Sequence, residues 1–394
     1  MPGAIGSPWL QRFAALDAFL LEHQQLWRPR PFSELVLGWE AQWPDLATWL
    51  RSRSLADAEG ADMSGAPAPY PQLAFQAAEL STVDKLLDAG LHPAAPRLNV
   101  DVPGRKWAQI EAFGQSLSFA SQPSHWLDWC AGKGHLGRRL LQPGQQLTCL
   151  EHDPALVQAG AALSQRHGLP AQHRQQDVMA PDLALDATHT PVALHACGDL
   201  HVRLIQRASA AGCQQLAIAP CCYNRTPGAY QPLSTAAQQS ALHLSNDDLG
   251  LPLSETVTAG ARVRRQRDQS MARRLAFDLL QRQLRGSDSY LPTPSLPSGW
   301  LAKPFFTYIQ DLAALKGLST AGFKDWDALE AAGWLRLAEV RNLEAVRNLF
   351  RRPLEIWLVL DRALYLEENG YHVRLGEFCE ASLTPRNLML LAER

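Results

Sequence analysis

Trp126-Leu127-Asp128-Trp129-Cys130-Ala131-Gly132-Lys133-Gly134-His135-Leu136-Gly137 runs from an apolar strand pattern straight into a glycine turn, and the helix-forming Arg138-Arg139-Leu140-Leu141 follows. A Cβ in such a turn would hold a ligand away from the backbone, and its bends favour positive φ. A second short strand pattern, Leu147-Thr148-Cys149-Leu150, ends in Glu151. An acid at the tip of the second strand can accept hydrogen bonds from a ribose diol, so the two segments together read as a site for a nucleoside cofactor.

Outward from this unit, strands and helices alternate. The pattern predicts strands over 125–130, 147–151, 171–177, 191–196 and 214–220, with helices starting near 135, 154 and 199. Pro154 suits the first turn of a helix. Alternation at this spacing implies an α/β fold, a parallel sheet with helices on both faces. Residues 225–370 read as mostly helical. Tyr371-His372-Val373-Arg374-Leu375 and Asn387-Leu388-Met389-Leu390-Leu391 are strand-like and are joined through Thr384-Pro385-Arg386. They predict an antiparallel edge on the same sheet, which makes 225–370 a helical insertion before a closing strand pair at 371–394.

Upstream, Leu10, Phe13, Leu16, Leu20 and Leu21 fall near a helical period, as do Val36, Trp39 and Trp43, in a segment rich in tryptophan. A helical packing domain is the plainer reading, and a platform of exposed tryptophans the other. Residues 54–72 carry Gly, Ala, Pro, Ser and Asp without periodicity and read as a linker, and 73–90 as a further helix. The expected organisation is a helical domain over 1–100 and an α/β domain over 101–394.

The chain has 394 residues, 46% hydrophobic and 19% charged, which is enough apolar content for a large core. A formal charge of −2 favours neither nucleic acid nor membrane. The first nine residues lack the basic start and apolar stretch of a signal peptide, and no apolar run reaches the roughly 18 residues of a membrane span. The seven cysteines suit a reducing, cytoplasmic setting.

Gly132-x-Gly134-x-x-Gly137 matches the dinucleotide fingerprint, which expects a pyrophosphate on the helix N-terminus. A methyl-donor reading expects S-adenosylmethionine, which carries no phosphate. Two acids favour the methyl donor. Asp128, just before the turn, would repel a pyrophosphate but orient an ammonium group; Asp177, at the third strand tip, can accept from an adenine amine. A nucleoside-triphosphate loop is disfavoured: Leu127 replaces its leading glycine and no Ser or Thr follows Lys133. Cys130, Lys133 and His135 flank the turn and join the cofactor candidates.

Ligands of open α/β sheets sit beyond the carboxyl ends of the strands. Leu194-His195-Ala196-Cys197-Gly198-Asp199-Leu200 follows the fourth strand and Ala219-Pro220-Cys221-Cys222-Tyr223-Asn224-Arg225 the fifth. A strand histidine is more often a satisfied core residue, but His195 stands at a tip. Cys130, Cys197, Cys221 and Cys222 would gather near His135 and His195. No Cys-x-x-Cys pair is present and adjacent cysteines share a tetrahedral site poorly, so no metal is expected. A nucleophilic cysteine is one further reading, and small buried residues packed near the cofactor another.

These clusters give the chain a family resemblance. It resembles the class I methyltransferase-like proteins, a group that includes the glutathione S-transferase C-terminal-domain-containing protein and, more distantly, the eukaryotic tRNA acceptor-stem 2′-O-methyltransferase. The matching residues are 128–137, Leu194-His195-Ala196-Cys197-Gly198-Asp199 and Pro220-Cys221-Cys222-Tyr223. Leu360-Asp361-Arg362-Ala363, Glu367-Glu368-Asn369-Gly370-Tyr371, Thr384-Pro385-Arg386-Asn387 and the upstream Gly104-Arg105-Lys106-Trp107-Ala108-Gln109-Ile110-Glu111 match as well. The resemblance covers about residues 101–394 and implies a Rossmann-like seven-stranded methyltransferase sheet. It implies S-adenosylmethionine as cofactor, held by Gly132, Gly134, Glu151 and Asp177, with Cys130 in place of the usual first glycine. His195 counts on both the cofactor and the catalytic side.

Methyl transfer is an in-line displacement, in which positioning carries much of the acceleration; a hydroxyl acceptor also benefits from a base. The catalytic candidates are His195, Asp199, Tyr223, Asn224 and Lys106, and Pro220, Cys221 and Cys222 would meet the substrate. Residues 262–285 hold eight arginines against two aspartates, and Arg341, Arg347, Arg351 and Arg352 follow. Such a surface suits a phosphate backbone, so RNA, tRNA in the finest form, is the expected substrate partner, with Arg264 and Arg265 as contacts. A protein or small-molecule acceptor, a silent RNA-binding relative and an NAD-dependent oxidoreductase are the alternatives.

Overall fold

The structure, a computed structural model, describes residues 7–254 and 260–394. The reading of the extreme N-terminus therefore falls largely on residues outside the described ones. The described residues divide into two compact units: one draws on 7–21, 80–254 and 352–394, the other on 22–79 and 260–351. This division does not coincide with the split expected at residue 100.

The first unit is built on a seven-stranded sheet, β1 (His125–Trp129), β2 (Gln146–Glu151), β3 (Ala171–Gln175), β4 (His189–Cys197), β5 (Gln215–Cys221), β6 (His372–Glu377) and β7 (Leu388–Glu393). Their order is β3-β2-β1-β4-β5-β7-β6. The first five strands are parallel, and β7 runs antiparallel to both β5 and β6. This is the Rossmann-like methyltransferase sheet expected, with the closing pair on its edge. The strand order reverses between β1 and β4, the switch point where open α/β sheets bind ligands. Every residue of β5 is buried, as suits a central strand covered on both faces, whereas β3, on the edge, exposes Gln172, Arg174 and Gln175.

The helices beside the sheet have local causes. We label α1 (Pro8–Glu22), α2 (Gly104–Gln115), α3 (His135–Leu140), α4 (Pro154–Arg166), α5 (Asp199–Ala211) and α6 (Arg351–Glu368). The Asp153 side chain caps α4 by accepting the Ala155 amide at 2.8 Å, with Pro154 at its first position. α5 starts after Gly198 and stops at Gly212, whose φ of +72° closes a left-handed cap. α1 lays Phe13 against Trp357 of α6, ring centroids 5.0 Å apart, and its Asp17 accepts the Trp357 indole N–H at 2.9 Å.

The second unit is helical. Ala261–Arg285 and Trp326–Asn348 cross where Gly333 lies: a Cβ there would stand 2.6 Å from the Ala272 carbonyl oxygen and 2.7 Å from the Ala276 methyl. Segments from the N-terminal part join them. Arg53 donates to the Asn342 side chain and Arg336 to the carbonyls of Pro31 and Glu34.

Two local expectations change, and the plainer reading of the tryptophans holds. The stretch expected as linker contains the helix Leu55–Gly60, started by a reciprocal Ser54–Asp57 capping box that periodicity does not reveal. The helix expected over 73–90 spans Tyr70–Ser81, and Lys85 then bridges to Glu377 of β6 as extended chain. Trp27 and Trp39 are buried, so they pack rather than form an exposed platform. Among the described residues no helix is long and apolar enough to cross a membrane.

Candidate functional site

The glycine turn joins β1 to α3. Gly132 and Gly134 have φ of +56° and +72°. A Cβ on Gly132 would meet nothing within 4 Å, so the turn is open there; one on Gly134 would press on His173 and Cys149. Glu151 closes the turn from the tip of β2: its Oε2 accepts the Gly132 amide at 2.8 Å and its Oε1 the Asp153 amide at 3.0 Å. Behind the turn, Asp128 Oδ2 accepts the Gly137 amide at 2.8 Å. Burial raises the Asp128 carboxyl to about 6 against the opposing pull of that amide. Asp128 thus ties β1 to α3 from beneath the turn.

A cleft of about 350 Å³ opens beyond the tips of β1 and β2, lined by Cys130, Leu150, Glu151, His152, Gln176, Asp177, Val178 and Leu200. Of the cofactor candidates, Cys130, Glu151 and Asp177 line it. Asp177 lies past the end of β3 rather than within the strand, and its Oδ1 accepts the Met179 amide at 2.9 Å. Lys133 is exposed at the turn. His135 is turned inward: it is buried, its Nδ1 accepts from Arg138 at 3.0 Å, and burial with the Arg138 charge lowers its pKa to about 4. Burial and the nearby Glu151 raise the Cys130 thiol to about 12, so it is a neutral, unreactive group. The cleft residues His152, Gln176, Val178 and Leu200 were not singled out from sequence, although each stands just past a strand tip or the α5 start.

The cleft fits S-adenosylmethionine on its own terms. The open face of Gly132 leaves room against the backbone, Glu151 and Asp177 offer acceptors, and Leu150, Val178 and Leu200 supply apolar walls.

The tips of β4 and β5 carry a bulge. Leu194 pairs with Ala219, yet Cys197 pairs with Cys221, so β4 holds one residue more than β5 over this stretch. His195, in the bulge, has φ of +64°, and Cys130 and Cys222 have +55° and +47°. Positive φ at non-glycine residues costs energy and clusters at functional sites. The bulge is held from below: buried His201 donates from Nδ1 to the Ala196 carbonyl at 3.0 Å and accepts at Nε2 from Arg362 at 3.2 Å, a tautomer assigned from these partners.

The catalytic candidates separate. His195 Nε2 meets the Gln109 carboxamide oxygen of α2 at 3.2 Å, which leaves Nδ1 as the acceptor nitrogen. Burial, with the charges of Arg386 and Lys106, lowers its pKa to about 4, so the ring is neutral at pH 7. Lys106, exposed on α2, is held over this side, because Arg139 of α3 grips Glu111 of the same helix. Asp199 instead lines a second cavity of about 190 Å³, with Arg203, Tyr223, Tyr230 and Arg362 among its walls. Tyr223 is buried, its hydroxyl has no hydrogen-bond partner among the described residues, and burial raises its pKa well above the ordinary value. Asn224 is half-buried beside it in the chain, and Pro220 is buried. Arg362 reaches this cavity from α6, far along the chain; only the resemblance at Leu360-Asp361-Arg362-Ala363 had marked it. Gln109 lay likewise in a quoted motif without an assigned role.

Cys197, Cys221 and Cys222 come together, the first two with sulfurs 3.7 Å apart. The neighbouring thiols, with Arg386 and Arg225 close by, hold the Cys222 thiol below its ordinary pKa. Of the four cysteines expected to gather at this rim, these three form one group, and Cys130 lines the cleft instead.

The arginine-rich segment is largely consumed inside its own unit. Arg273 donates to the Lys303 carbonyl, Arg274 to the Pro294 carbonyl, Arg282 to Asp278 and Asp288, and Arg285 to Gln281. Arg341 pairs with Asp268 and Arg347 holds the Trp27 carbonyl, while in the first unit Arg352 pairs with Glu355 and Glu377. Arg262, Arg264 and Arg265 are exposed. The continuous basic face expected from composition is thus reduced to the start of one helix.

Residues 105–227 match the family model of a methyltransferase domain. About a third of the chain is thus similar to a methyltransferase domain. The match spans α2 through the turn after β5, and so includes both strand-tip clusters. Two solved structures show a distant likeness. The mitomycin 7-O-methyltransferase MmcR is 18% identical, over 43% of this chain and 56% of that one, with a TM-score of 0.25. A coclaurine N-methyltransferase bound to N-methylheliamine and S-adenosylhomocysteine is 12% identical, over 87% and 90%, also with a TM-score of 0.25. The chain thus spans little more than half the length of the first.

Proposed function

We propose that the methyltransferase domain uses S-adenosylmethionine, held in the cleft at the tips of β1 and β2, and acts on an acceptor that enters across the tips of β4 and β5. The observation that carries this reading is the Glu151 carboxylate clamped on the Gly132 amide at the mouth of an open cleft beside the switch point. The donor supplies, when bound, a methyl group already activated on a sulfonium. Gly132 then gives it close access to the backbone, Glu151 and Asp177 accept its hydrogen bonds, and Asp128 keeps the turn in place.

His195, neutral at pH 7, takes a proton from the acceptor at Nδ1, while Gln109 fixes its ring. Asp199, the unpartnered Tyr223 hydroxyl and Asn224 orient the acceptor. We assign the acceptor to RNA, a tRNA ribose hydroxyl in its finest form, with Lys106 assisting beside His195, Arg264 and Arg265 as phosphate contacts, and a reducing, cytoplasmic setting. The resemblance and these exposed cations support it; the commitment of the other arginines weakens it and keeps a small-molecule acceptor in view.

Incubation of the chain with tritiated donor and an extract from cells lacking it tests both levels. Label in the RNA fraction is expected. Label confined to protein or metabolites overturns the acceptor, and absence of S-adenosylhomocysteine binding by the folded chain overturns the donor site.

A further inference from the structure

Adjacency of Cys221 and Cys222 argues against a metal on sequence alone, where both are set against the substrate; the structure adds Cys197 to the pair at the tips of β4 and β5. Cys197, Cys221 and Cys222 place their sulfurs all within 4.8 Å of one another, and Cys197 and Cys221 stand 3.7 Å apart. A tetrahedral zinc ion with Zn–S bonds of about 2.3 Å sets sulfurs about 3.8 Å apart. One edge of that tetrahedron is thus already in place, and the third sulfur needs to move by about 1 Å at most to complete a face.

The backbone beneath the group is fixed for this arrangement. The extra residue in β4 brings Cys197 opposite Cys221, which a regular ladder would pair with Ala196. The Gly198 amide donates to the Cys221 carbonyl at 3.0 Å and the Arg225 amide to the Cys222 carbonyl at 2.9 Å. Cys222, just past the end of β5, has a φ of +47°. Cys197 and Cys222 are half-buried, which leaves an access route, while Cys221 is buried. Three thiolates and a divalent ion carry one net negative charge, and Arg225 and Arg386 lie close enough to offset it.

We propose that Cys197, Cys221 and Cys222 form a three-thiolate site for a zinc ion, with its fourth position open at the tips of β4 and β5. Three protein ligands plus one exchangeable ligand is the pattern of catalytic rather than structural zinc. Binding releases the thiol protons to solvent, and the fourth position takes water or a soft donor such as a thiol. The site goes beyond the methyltransferase reading and does not depend on it.

The test uses the full chain, purified under reducing conditions without a histidine tag, and reads metal rather than methylation. Exchanged into metal-free buffer after zinc loading, the chain is expected to retain about one equivalent of zinc, as a preformed thiolate site does. Cys197→Ser and Cys222→Ser are expected to lose it, and Cys379→Ser to keep it. In the cobalt-substituted chain, thiolate-to-metal absorption and the visible bands of four-coordinate cobalt are expected, with a rise when a small thiol is added. To guard against misfolded variants, alkylation of the wild-type chain is mapped with and without zinc; protection of Cys197, Cys221 and Cys222 but not Cys379 is expected. Loss of zinc on buffer exchange, equal retention by all three variants, no selective protection, or a Cys197–Cys221 disulfide in the reduced preparation overturns the proposal. An unchanged cobalt spectrum on adding thiol overturns its open fourth position.

Discussion

The carboxylate of Glu151 accepts the amide of Gly132 at 2.8 Å, so the acid at the second strand tip also holds the turn of the first. Each carboxylate oxygen has a second lone pair beyond those engaged with Gly132 and Asp153. Glu151→Gln presents an amide group where two backbone donors converge. We expect S-adenosylhomocysteine affinity to fall about 10- to 100-fold, the worth of one charge-assisted hydrogen bond. Calorimetry showing affinity within threefold of wild type would remove Glu151 from the cofactor site.

Two glycines of positive φ separate binding from stability. Gly132→Ala meets nothing within 4 Å, so it is expected to cost about 1 kcal/mol of backbone strain while filling space the cofactor needs. Gly198→Ala sets a methyl 2.0 Å from the Arg225 carbonyl oxygen, a backbone atom that cannot swing aside, and is expected to cost about 3 kcal/mol or more. Urea midpoints compare the two; equal losses would contradict the difference in surroundings.

Acidification is expected to destabilise the fold. Burial lowers His135 and His195 to about 4 and His201 to about 3, from an ordinary 6.5. Between those values the unfolded chain binds protons that the folded chain refuses, so stability falls as pH drops from about 6.5 toward 4. Asp128 works the other way, since the folded chain keeps its carboxyl proton up to about 6. His173 is lowered to about 4 as well, and these histidines outweigh the buried acids, so the urea midpoint is expected to be lower at pH 5 than at pH 7. Asp128→Asn, which can still accept the Gly137 amide, should steepen the decline. A midpoint that holds or rises at pH 5 refutes this account.

The arginines of Ala261–Arg285 fall into two groups with opposite expected phenotypes. Arg264→Ala and Arg265→Ala lie on exposed surface and are expected to leave stability within about 0.5 kcal/mol, while lowering the salt slope of RNA binding. Arg282→Ala strips a buried partner from Asp278 and is expected to cost about 3 kcal/mol without a change in that slope. An unaltered slope in the exposed pair would take this helix out of the RNA surface.

Asp361 is fully buried and accepts the amides of Leu233 and Ser234, the Ser234 hydroxyl and the Tyr230 hydroxyl. Asp361→Ala leaves these donors without their acceptor and the neighbouring Arg362 without its ion-pair partner. We expect about 3–5 kcal/mol of lost stability in chemical unfolding. A loss below about 1 kcal/mol would mean that water replaces the carboxylate.

Parts of the site were legible because their causes are local. The turn at 130–137 announces itself through glycines at a ligand's approach, and Glu151 through its place at the end of an apolar strand. His135 and Asp128 misled for a physical reason: the sequence places them beside the turn, but whether a side chain faces the ligand or the protein depends on what packs behind it. The arginines near 262–285 misled similarly, since composition counts charges and cannot tell an exposed guanidinium from one bound to a carbonyl.

What this sequence determined alone is the run of strands, turn and helices from 125 to 221 and the acids at the strand tips. Each rests on periodicity, capping and glycine chemistry within a few neighbouring residues. Only the tertiary structure decided the extra residue in β4 that sets Cys197 opposite Cys221, and the arrival of Arg362 beneath it through His201. Register depends on the facing strand, and a contact between α5 and α6 depends on the packing of everything between them, so neither leaves a mark on the local chain.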